Sequence, residues 1–501
     1  MQIKLAGYNV ETEILERLEI GENEPLTPET FSSAYARISR SSKDVTALRK
    51  EAREDVQKAR ESNERIIFQM GHHSVAEHAV FNFDVIGVSR LALEEIEKFR
   101  LASYTEKSQR YVTLDGDFVI PKEITDKKSR ELFLGTIKLQ NDFYFKALEV
   151  LKEYLFAKYP EQIEKKGDRK VVEGWAKEDA RYILSLATEG QLGMTINARN
   201  LEHLFRRFAL SKHGEVQEMG KVIYGLVEKV APSLILFPEP SAFETDLAGE
   251  RMKAVISAHI PPRDKKKEPH GLIGKVDSAA FPVQLLRFSA DGDERILAAL
   301  LVFYHGYDYT QASYITALMP PTDKEAIFKG LFEHMEFFDS PSREFELPEV
   351  TFQALVSASN FAQLKRHRMA TLLAGNYDIN LGNVIPENIK INKLDKEFTE
   401  IIAKTNEAYL KIKKKYGATA DYILTNSHCR PVVMRMNLRE VYHFIRLRAD
   451  QHAQWDIRNL AHSLAETIKD KMPLSGMLLC GKSDYIKQYE SIYGKKPKFS
   501  I

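Results

Sequence analysis

Thr195-Ile-Asn-Ala-Arg-Asn-Leu-Glu-His203 and Arg435-Met-Asn-Leu-Arg-Glu-Val-Tyr-His443 lie 240 residues apart and share three polar residues in register: Asn197 with Asn437, Arg199 with Arg439, and His203 with His443. Helical patterning repeats apolar positions, but it does not fix the identity of three polar ones. The chain therefore reads as two copies of one module. The join is expected where Pro240, Pro261, Pro262 and the charged run Arg263–Glu268 interrupt the periodic pattern. This gives a first module over 1–240, a linker over 241–278 in which Lys265, Lys266 and Lys267 are solvated, and a second module over 279–501.

Within the copies, Val80–Val88 and Glu349–Val356 alternate apolar and polar residues like half-buried strands. Each precedes a helical stretch that ends in a basic cluster. Val283–Phe288 reads as a further strand, and Ile296–Phe303 suits a buried helix or strand. Residues 128–158 and 435–470 carry the 3.6-residue period of long amphipathic helices. The fold class is α/β (α+β), with strands early and long helices late in each module. On one continuous helix, Arg439, His443 and Arg446 would lie within about 60° of one another, with Arg448 and His452 pointing almost oppositely. Either that helix breaks or it serves two surfaces.

Composition narrows the function classes. At about 150 residues per domain, 501 residues suggest two to four domains, and 44% hydrophobic with 29% charged residues is the profile of a globular chain with ample core. Only 25 Gly and 19 Pro argue against a turn-rich all-β fold. Seventy-two basic against 71 acidic residues leave no field that would draw nucleic acid or a membrane. Two cysteines, Cys429 and Cys480, cannot build a disulfide framework or a four-cysteine metal site, so a reducing compartment is expected. The longest apolar run, Ile296–Tyr304, is about half a bilayer span, and the first residues carry no secretory pattern. The cytoplasm is the expected location.

Four segments could carry chemistry. Gly71–His78 holds three imidazoles and a carboxylate; a metal site, an anion or cofactor clamp, and a hydrogen-bonded structural loop are all open, although the spacing does not fit the zinc-protease pattern. Lys98–Tyr111 sets Arg100 and Arg110 ten residues apart with Ser103, Glu106 and Ser108 between them, suiting either a loop that grips a phosphate and a base or a solvated loop. Lys365-Arg-His-Arg368 crowds cations that an anion would neutralise or a solvated turn would hold. Asn437–Arg458 places polar clusters on both faces of its stretch.

These segments resemble the flavin-dependent thymidylate synthases, whose hallmarks are an Arg-His-Arg triplet, a following Ser-x-Arg, an upstream His-x-[Ser/Thr]-x-x-Glu-His, and a downstream Asn-x-Arg…Arg-Ala-Asp-x-His-Ala-Gln-Trp. The resemblance covers most of both halves, apart from the linker and residues 112–175. The copies match it differently. The first keeps His72, Ser74, Glu77, His78, Glu106, Ser108, Arg110, Arg181, Asn197 and Arg199, but its triplet reads Lys98-Phe99-Arg100, Glu95 replaces the glutamine, and Arg207 or Phe208 stands for the later arginine. The second keeps Gln363, Arg366, His367, Arg368, Asn437, Arg439, Arg448 and His452. It has Phe338 for the upstream histidine, Ala374, Asn376 and Asp378 for Glu, Ser and Arg, and Asp421 where the first has Arg181. Arg100 to Asn197 spans 97 residues against 69 from Arg368 to Asn437, a surplus of 28 expected within 112–180.

The resemblance implies two modules of mainly antiparallel sheet with long helices, and conversion of dUMP to dTMP by FAD, NADPH and methylenetetrahydrofolate without an enzymic nucleophile. It implies Glu106, Ser108, Arg110, Arg181, Gln363 and Arg448 at the nucleotide, with Arg448 stabilising charge on the pyrimidine. His72, Ser74, Arg100, Asn197, Arg199, Arg366, His367, Arg368, Asn437, Arg439, His443 and His452 would hold flavin or folate, and no metal is expected. Composite sites between modules and a homodimer equivalent to a four-module tetramer follow. Another pyrimidine nucleotide as substrate, or a non-catalytic nucleotide-binding scaffold, are the alternatives.

Overall fold

The computed structural model describes residues 1–19, 26–109, 116–164, 168–260 and 283–499. Two four-stranded antiparallel sheets share one strand order. β1 (Gln2–Tyr8), β2 (Val80–Ser89), β3 (Ser103–Glu106) and β4 (Glu189–Asn197) run β1-β2-β4-β3, and β5 (Gln284–Phe288), β6 (Glu349–Ser357), β7 (Thr371–Ala374) and β8 (Cys429–Asn437) run β5-β6-β8-β7. The expected strands form because alternate side chains can leave water: Phe81, Phe83 and Val85 are buried while Asn82 and Asp84 face out, and Val350, Phe352 and Ala354 are fully buried. The edge strands β3 and β7 fall in segments expected as loops. Four residues each, they pair with β4 and β8 and leave only short open edges.

Register between the halves is close. Val80 opposes Asn197 and Glu349 opposes Asn437. The first half carries one extra residue at a bulge between Ile86 and Val88, where Gly87 takes φ 67°, a left-handed conformation that favours glycine. Counting back from these pairs sets Pro341, rather than Phe338, opposite His72.

The long helices form as Lys127–Lys158 and Asp395–Tyr416, side by side, with the Gln140 amide donating to Thr405 Oγ1 (2.9 Å) and the Ile423 carbonyl (3.0 Å). The 28-residue surplus sits where expected: Pro160–Glu164 and Asp168–Ala180 intervene before Arg181, whereas the second half passes from Tyr416 directly into the Gly417–Ile423 turn. The stretch 435–470 is not one helix. After β8 it forms Leu438–Arg448, a turn, and Trp455–Lys471. Asp450 holds the turn by accepting from the amides of His452 and Ser483 (both 2.9 Å), and Gln454 caps the next helix. Gly481 lies against the Ala449 carbonyl, closer than any Cβ could. The 296–303 run is helical within Gly292–His305, with Ile296 and Leu297 buried but Phe303 and Tyr304 exposed. Of the expected linker, 241–260 forms two short helices and 261–278 lies outside the described residues.

Each half has its own apolar core, and two further cores are shared: one joins Phe143, Tyr144 and Ile183 to Leu355 and Phe398, the other joins Leu91, Ile137 and Leu186 to Tyr409 and Leu424. Between the shared cores the two halves hydrogen-bond through their own repeat. Leu186 N donates to the Leu424 carbonyl (2.7 Å) and Asn426 N to Leu184 (2.9 Å); Ala187 N donates to Tyr422 (2.8 Å) and Ser427 N to Tyr182 (2.9 Å). Every bond has its image 240 residues away, about an axis at the Ser185–Thr425 bridge.

Two buried groups near this axis titrate oppositely. Burial raises the Asp179 carboxyl to about 7 against the pull of its Asn388 and Trp455 donors. It therefore binds more protons folded than unfolded, so its stability is complete below the unfolded value near 4 and is lost as pH rises through 7. Burial lowers His428 to about 4. Its stability is complete above about 6.5 and is lost as pH falls through 4. Between pH 4 and 6.5 the two contributions cancel. Asp179→Asn is expected to give urea stability that rises relative to the parent by about 3 kcal/mol from pH 4 to 6.5, and His428→Gln the reverse. Parallel profiles for parent and both variants would contradict this.

Candidate functional site

Each half ends its second strand in a serine cap, a short helix and a basic cluster: Ser89, Arg90–Glu97 and Lys98-Phe-Arg100, then Ser357, Ala358–Leu364 and Lys365-Arg-His-Arg368. The axis turns these segments toward one another. Lys365 Nζ, fully buried, lies 2.8 Å from Glu97 Oε2. Burial pulls this ammonium below the usual lysine range against the opposing charge of Glu97. Arg430, from β8, pairs with buried Glu94, donates to the Gly375 carbonyl (2.7 Å) and lies over the Phe361 and Tyr377 rings. Burial alone would raise Glu94, but Arg430, Lys98 and Arg90 hold it well below the usual carboxylate range. With Glu106 these side chains form a desolvated network in which every charge has an opposite within reach.

One composite cluster unites many of the expected residues. From the second half, Arg366 Nη2 donates to Glu106 Oε2 (3.0 Å), and Arg368 Nη2 to Ser103 Oγ (3.3 Å), both on β3 of the first half. Arg100 returns the contact by donating to the carbonyls of Arg368 (3.2 Å) and Ala370. Burial would raise Glu106, but Arg90, Lys365 and Arg366 keep it ionised and below its usual range. Arg181, at the end of the inserted helices, reaches across to Ser359 Oγ (2.9 Å). Arg448 ends its helix by donating from Nε to His367 Nε2 (3.0 Å) and from Nη1 to Gln363 Oε1 (3.3 Å). Since His367 accepts at Nε2, its proton sits on Nδ1, which faces Glu440 Oε1 at 3.3 Å. Burial and neighbouring Arg448 drive His367 well below its ordinary pKa, so the ring is neutral. Ser108 follows β3, half-buried, and Arg110 lies outside the described residues.

The image position is built differently. Asp421, in the place of Arg181, accepts from Lys212 Nζ (2.7 Å) with His213 Nε2 at 3.4 Å. Burial would raise this carboxyl, but His213 and Lys212 bring it below its usual range. Phe208 takes the place of Arg448 and is buried against Gly220, and Glu95 pairs with Lys98 (2.6 Å). Asp378 caps the Ile379–Leu381 turn, and Asn376 accepts from Lys212 (3.2 Å). Its charges are satisfied internally.

The remaining expected residues make other contacts, and of them His443 lies beside His367. Asn197 and Asn437 cap helices, accepting from Asn200 N (2.9 Å) and Glu440 N (2.8 Å). Arg199 pairs with Glu77 and Arg439 with Glu346 (3.3 Å), the same pair in each half. His72 and Ser74 are exposed, Ser74 within the His73–His78 turn and His72 just before it. His443 is exposed with its ring 5.8 Å from that of His367, and His452 is held by Asp450 Oδ1 (2.8 Å). Among the described residues no three His, Cys, Asp or Glu are placed to share a metal ion.

Several contributors escaped sequence reading. Arg90 is buried with both terminal nitrogens unpartnered. Ser103, Ser359, Glu440 and Arg430 position the residues above. A charged residue at an otherwise apolar strand position, as Arg430 is, was the readable signal.

Comparison with known proteins agrees with this doubled architecture. The family model for the thymidylate synthase complementing protein matches residues 24–233 and again 284–474. A flavin-dependent thymidylate synthase of Clostridium tetani is 35% identical over 179 residues, 35% of this chain and 69% of that one. A UPF0159 protein of Thermoplasma acidophilum is 26% identical over 450 residues, 83% of this chain and 87% of its own. Thymidylate Synthase X of Helicobacter pylori, solved with FAD and dUMP, shares 19% identity over 47% of this chain and 99% of that one, at a TM-score of 0.29. The chain belongs to the thymidylate synthase complementing protein family, and the family's match falls on it twice.

Proposed function

We propose that this protein is a flavin-dependent thymidylate synthase converting dUMP to dTMP, with FAD as cofactor, methylenetetrahydrofolate as carbon donor and NADPH as electron source, at one composite site per chain. The observation that carries this reading is the pairing of Arg366 and Arg368 with Glu106 and Ser103, which sets the first half's nucleotide-gripping segment against the second half's Arg-His-Arg. The internal pairing of Asp421 with Lys212 supports a single site. Two modules from one ancestral duplication account for the mirrored contacts.

The donors suit the ligands. Gln363 Nε2 and both terminal Arg90 nitrogens are buried without a protein partner, an arrangement that favours carbonyl and anionic oxygens. The flavin supplies the electron-transfer chemistry when bound. Arg448 places a fixed positive charge at the pyrimidine where negative charge develops, and neutral His367 orients it without competing for the anion. Arg181, Ser108 and Arg110 hold the phosphate. Arg366 and Arg368 contact the flavin, and for Arg199 and Arg439 cofactor binding means exchanging an exposed ion pair worth about 0–1 kcal/mol. Cys429 takes no part: it is fully buried, and burial raises its thiol far above the range where a thiolate forms. The chain acts as a homodimer, for which the exposed Phe303, Tyr304, Tyr314 and Leu318 offer an apolar face.

The decisive measurement is release of labelled hydrogen from the methyl-accepting carbon of dUMP, with FAD, NADPH and methylenetetrahydrofolate under low oxygen. Release together with dTMP is expected; dUMP binding without release would move the assignment to another pyrimidine nucleotide. Arg448→Ala and Arg181→Ala are each expected to lower turnover by about 10²–10³. Equilibrium dialysis is expected to give one dUMP per chain, and two per chain would sink the single-site reading.

Cys429→Ser is expected to keep turnover within about twofold, since the thiol's contact is a long one to the Ser427 carbonyl (3.7 Å). A loss of 100-fold in a folded protein would instead make Cys429 a catalytic nucleophile.

A further inference from the structure

The ladder around the Ser185–Thr425 bridge does not itself decide which half meets which. Its core is Tyr-Ile-Leu in both copies, over 182–184 and 422–424, and its bonds run through the backbone. Two first halves, or two second halves, brought together from two chains would form the same bonds. The flanking side chains do discriminate. Glu97 and Lys365 stand at the same place in the repeat, each eight residues after its serine cap, Ser89 or Ser357. They lie 2.8 Å apart with side chains 3% and 0% exposed, so the axis passes between a carboxylate and an ammonium. Like halves would set this position against itself, as Glu97 on Glu97 or Lys365 on Lys365.

Other pairs across the axis are one-sided in the same way. Arg430 pairs with Glu94, but their images in the repeat are Gly190 and Ala362. Lys212 pairs with Asp421 (2.7 Å), whose image is Arg181. Two first halves would bring Lys212 to an arginine, and two second halves would leave Arg430 buried without its carboxylate.

We propose that the axial face of each half is an interaction surface with one permitted partner, the opposite half, and that Glu97 and Lys365 exclude a like half from a second chain. Buried like charges exclude strongly, because neither can reach water. Membership of one chain raises the local concentration of the right partner, and the charges distinguish it from the same half of a neighbouring chain. The contact of Arg366 with Glu106 is made in every pairing that this surface permits.

Charge exchange in the full chain tests this, with Ser185→Cys and Thr425→Cys added so that oxidation by diamide joins whichever halves meet at the axis. The parent charges are expected to give a crosslink within the chain. Glu97→Lys leaves two ammonium groups at the axis and Lys365→Glu leaves two carboxylates; each is expected to slow that crosslink by about tenfold or more. The two changes combined are expected to restore it. The two single variants refolded together are expected to crosslink between chains as a 1:1 dimer. Amide hydrogen exchange at Leu186 and Asn426 gives the same reading in chains without the added cysteines. Crosslinking or exchange indifferent to the charges would overturn the proposal. So would a combined variant that stays unpaired, or a single variant that pairs between chains when refolded alone.

Discussion

Everything distinctive about this chain depends on a few backbone hydrogen bonds around the Ser185–Thr425 bridge, where Arg181-Tyr-Ile-Leu184 and Asp421-Tyr-Ile-Leu424 lie antiparallel. The contact is isologous: the same stretch meets its own copy, so each bond is repeated by symmetry and neither half can shift without breaking both members of a pair. Two carboxylates, buried Asp456 and half-buried Glu215, lock it further. Asp456 accepts from Ser357 Oγ (2.5 Å) and from Tyr182 OH of the other half (2.9 Å), and Glu215 accepts from Ser89 Oγ (2.5 Å) and from Tyr422 OH (2.9 Å). Each carboxylate therefore joins its own half's helix cap to the other half's ladder. A slip of one residue would cost each carboxylate its tyrosine donor from the other half.

The axis relates two positions whose side chains differ. At one, Arg181 reaches Ser359 and Arg448 reaches Gln363 of the same short helix, while Arg366 and Arg368 reach Glu106 and Ser103. At the other, the arginine of the ladder is an aspartate, the helix-terminal arginine is a phenylalanine, and Lys212 and His213 complete the neutralisation. On the proposed reading the anionic ligand is taken at the first position, whereas at the second the aspartate is already paired.

How much of this could be read beforehand follows from the range of the interaction concerned. β2 and β6 were legible in Phe81-Asn-Phe-Asp84 and Val350-Thr-Phe-Gln353, because alternation is local. The doubled module was legible in Asn197, Arg199 and their images. β3 and β7 were not, because Ser-Tyr-Thr-Glu and Thr-Leu-Leu-Ala become strands only by pairing with β4 and β8, more than fifty residues later. The break after Arg448 was posed as an alternative by the opposed polar faces, but its cause, Asp450 bound to Ser483, is again nonlocal. Asn197 and Asn437 show the limit of motif reading: their amide oxygens serve a helix cap, which is reason enough for asparagine at those positions whatever else the amide does.

The insertion closes the argument about asymmetry. In the second half the chain runs from Tyr416 straight into the ladder, so Asp421 sits beside the Asp395–Tyr416 helix and within reach of Tyr409. In the first half, Asp168–Ala180 intervenes and delivers Arg181 from a helix that also carries Asp179 to Trp455. Arg181 is thereby fixed at both ends, by Asp179 behind it and by the ladder residue Tyr182 ahead, before its guanidinium meets Ser359. A long cation loses rotamer entropy when it is held in one place, and a backbone pinned on both sides has already met part of that cost. The copy with the extra helices is the copy that keeps the arginine, and the same 28 residues both steady it and wall a cavity behind it.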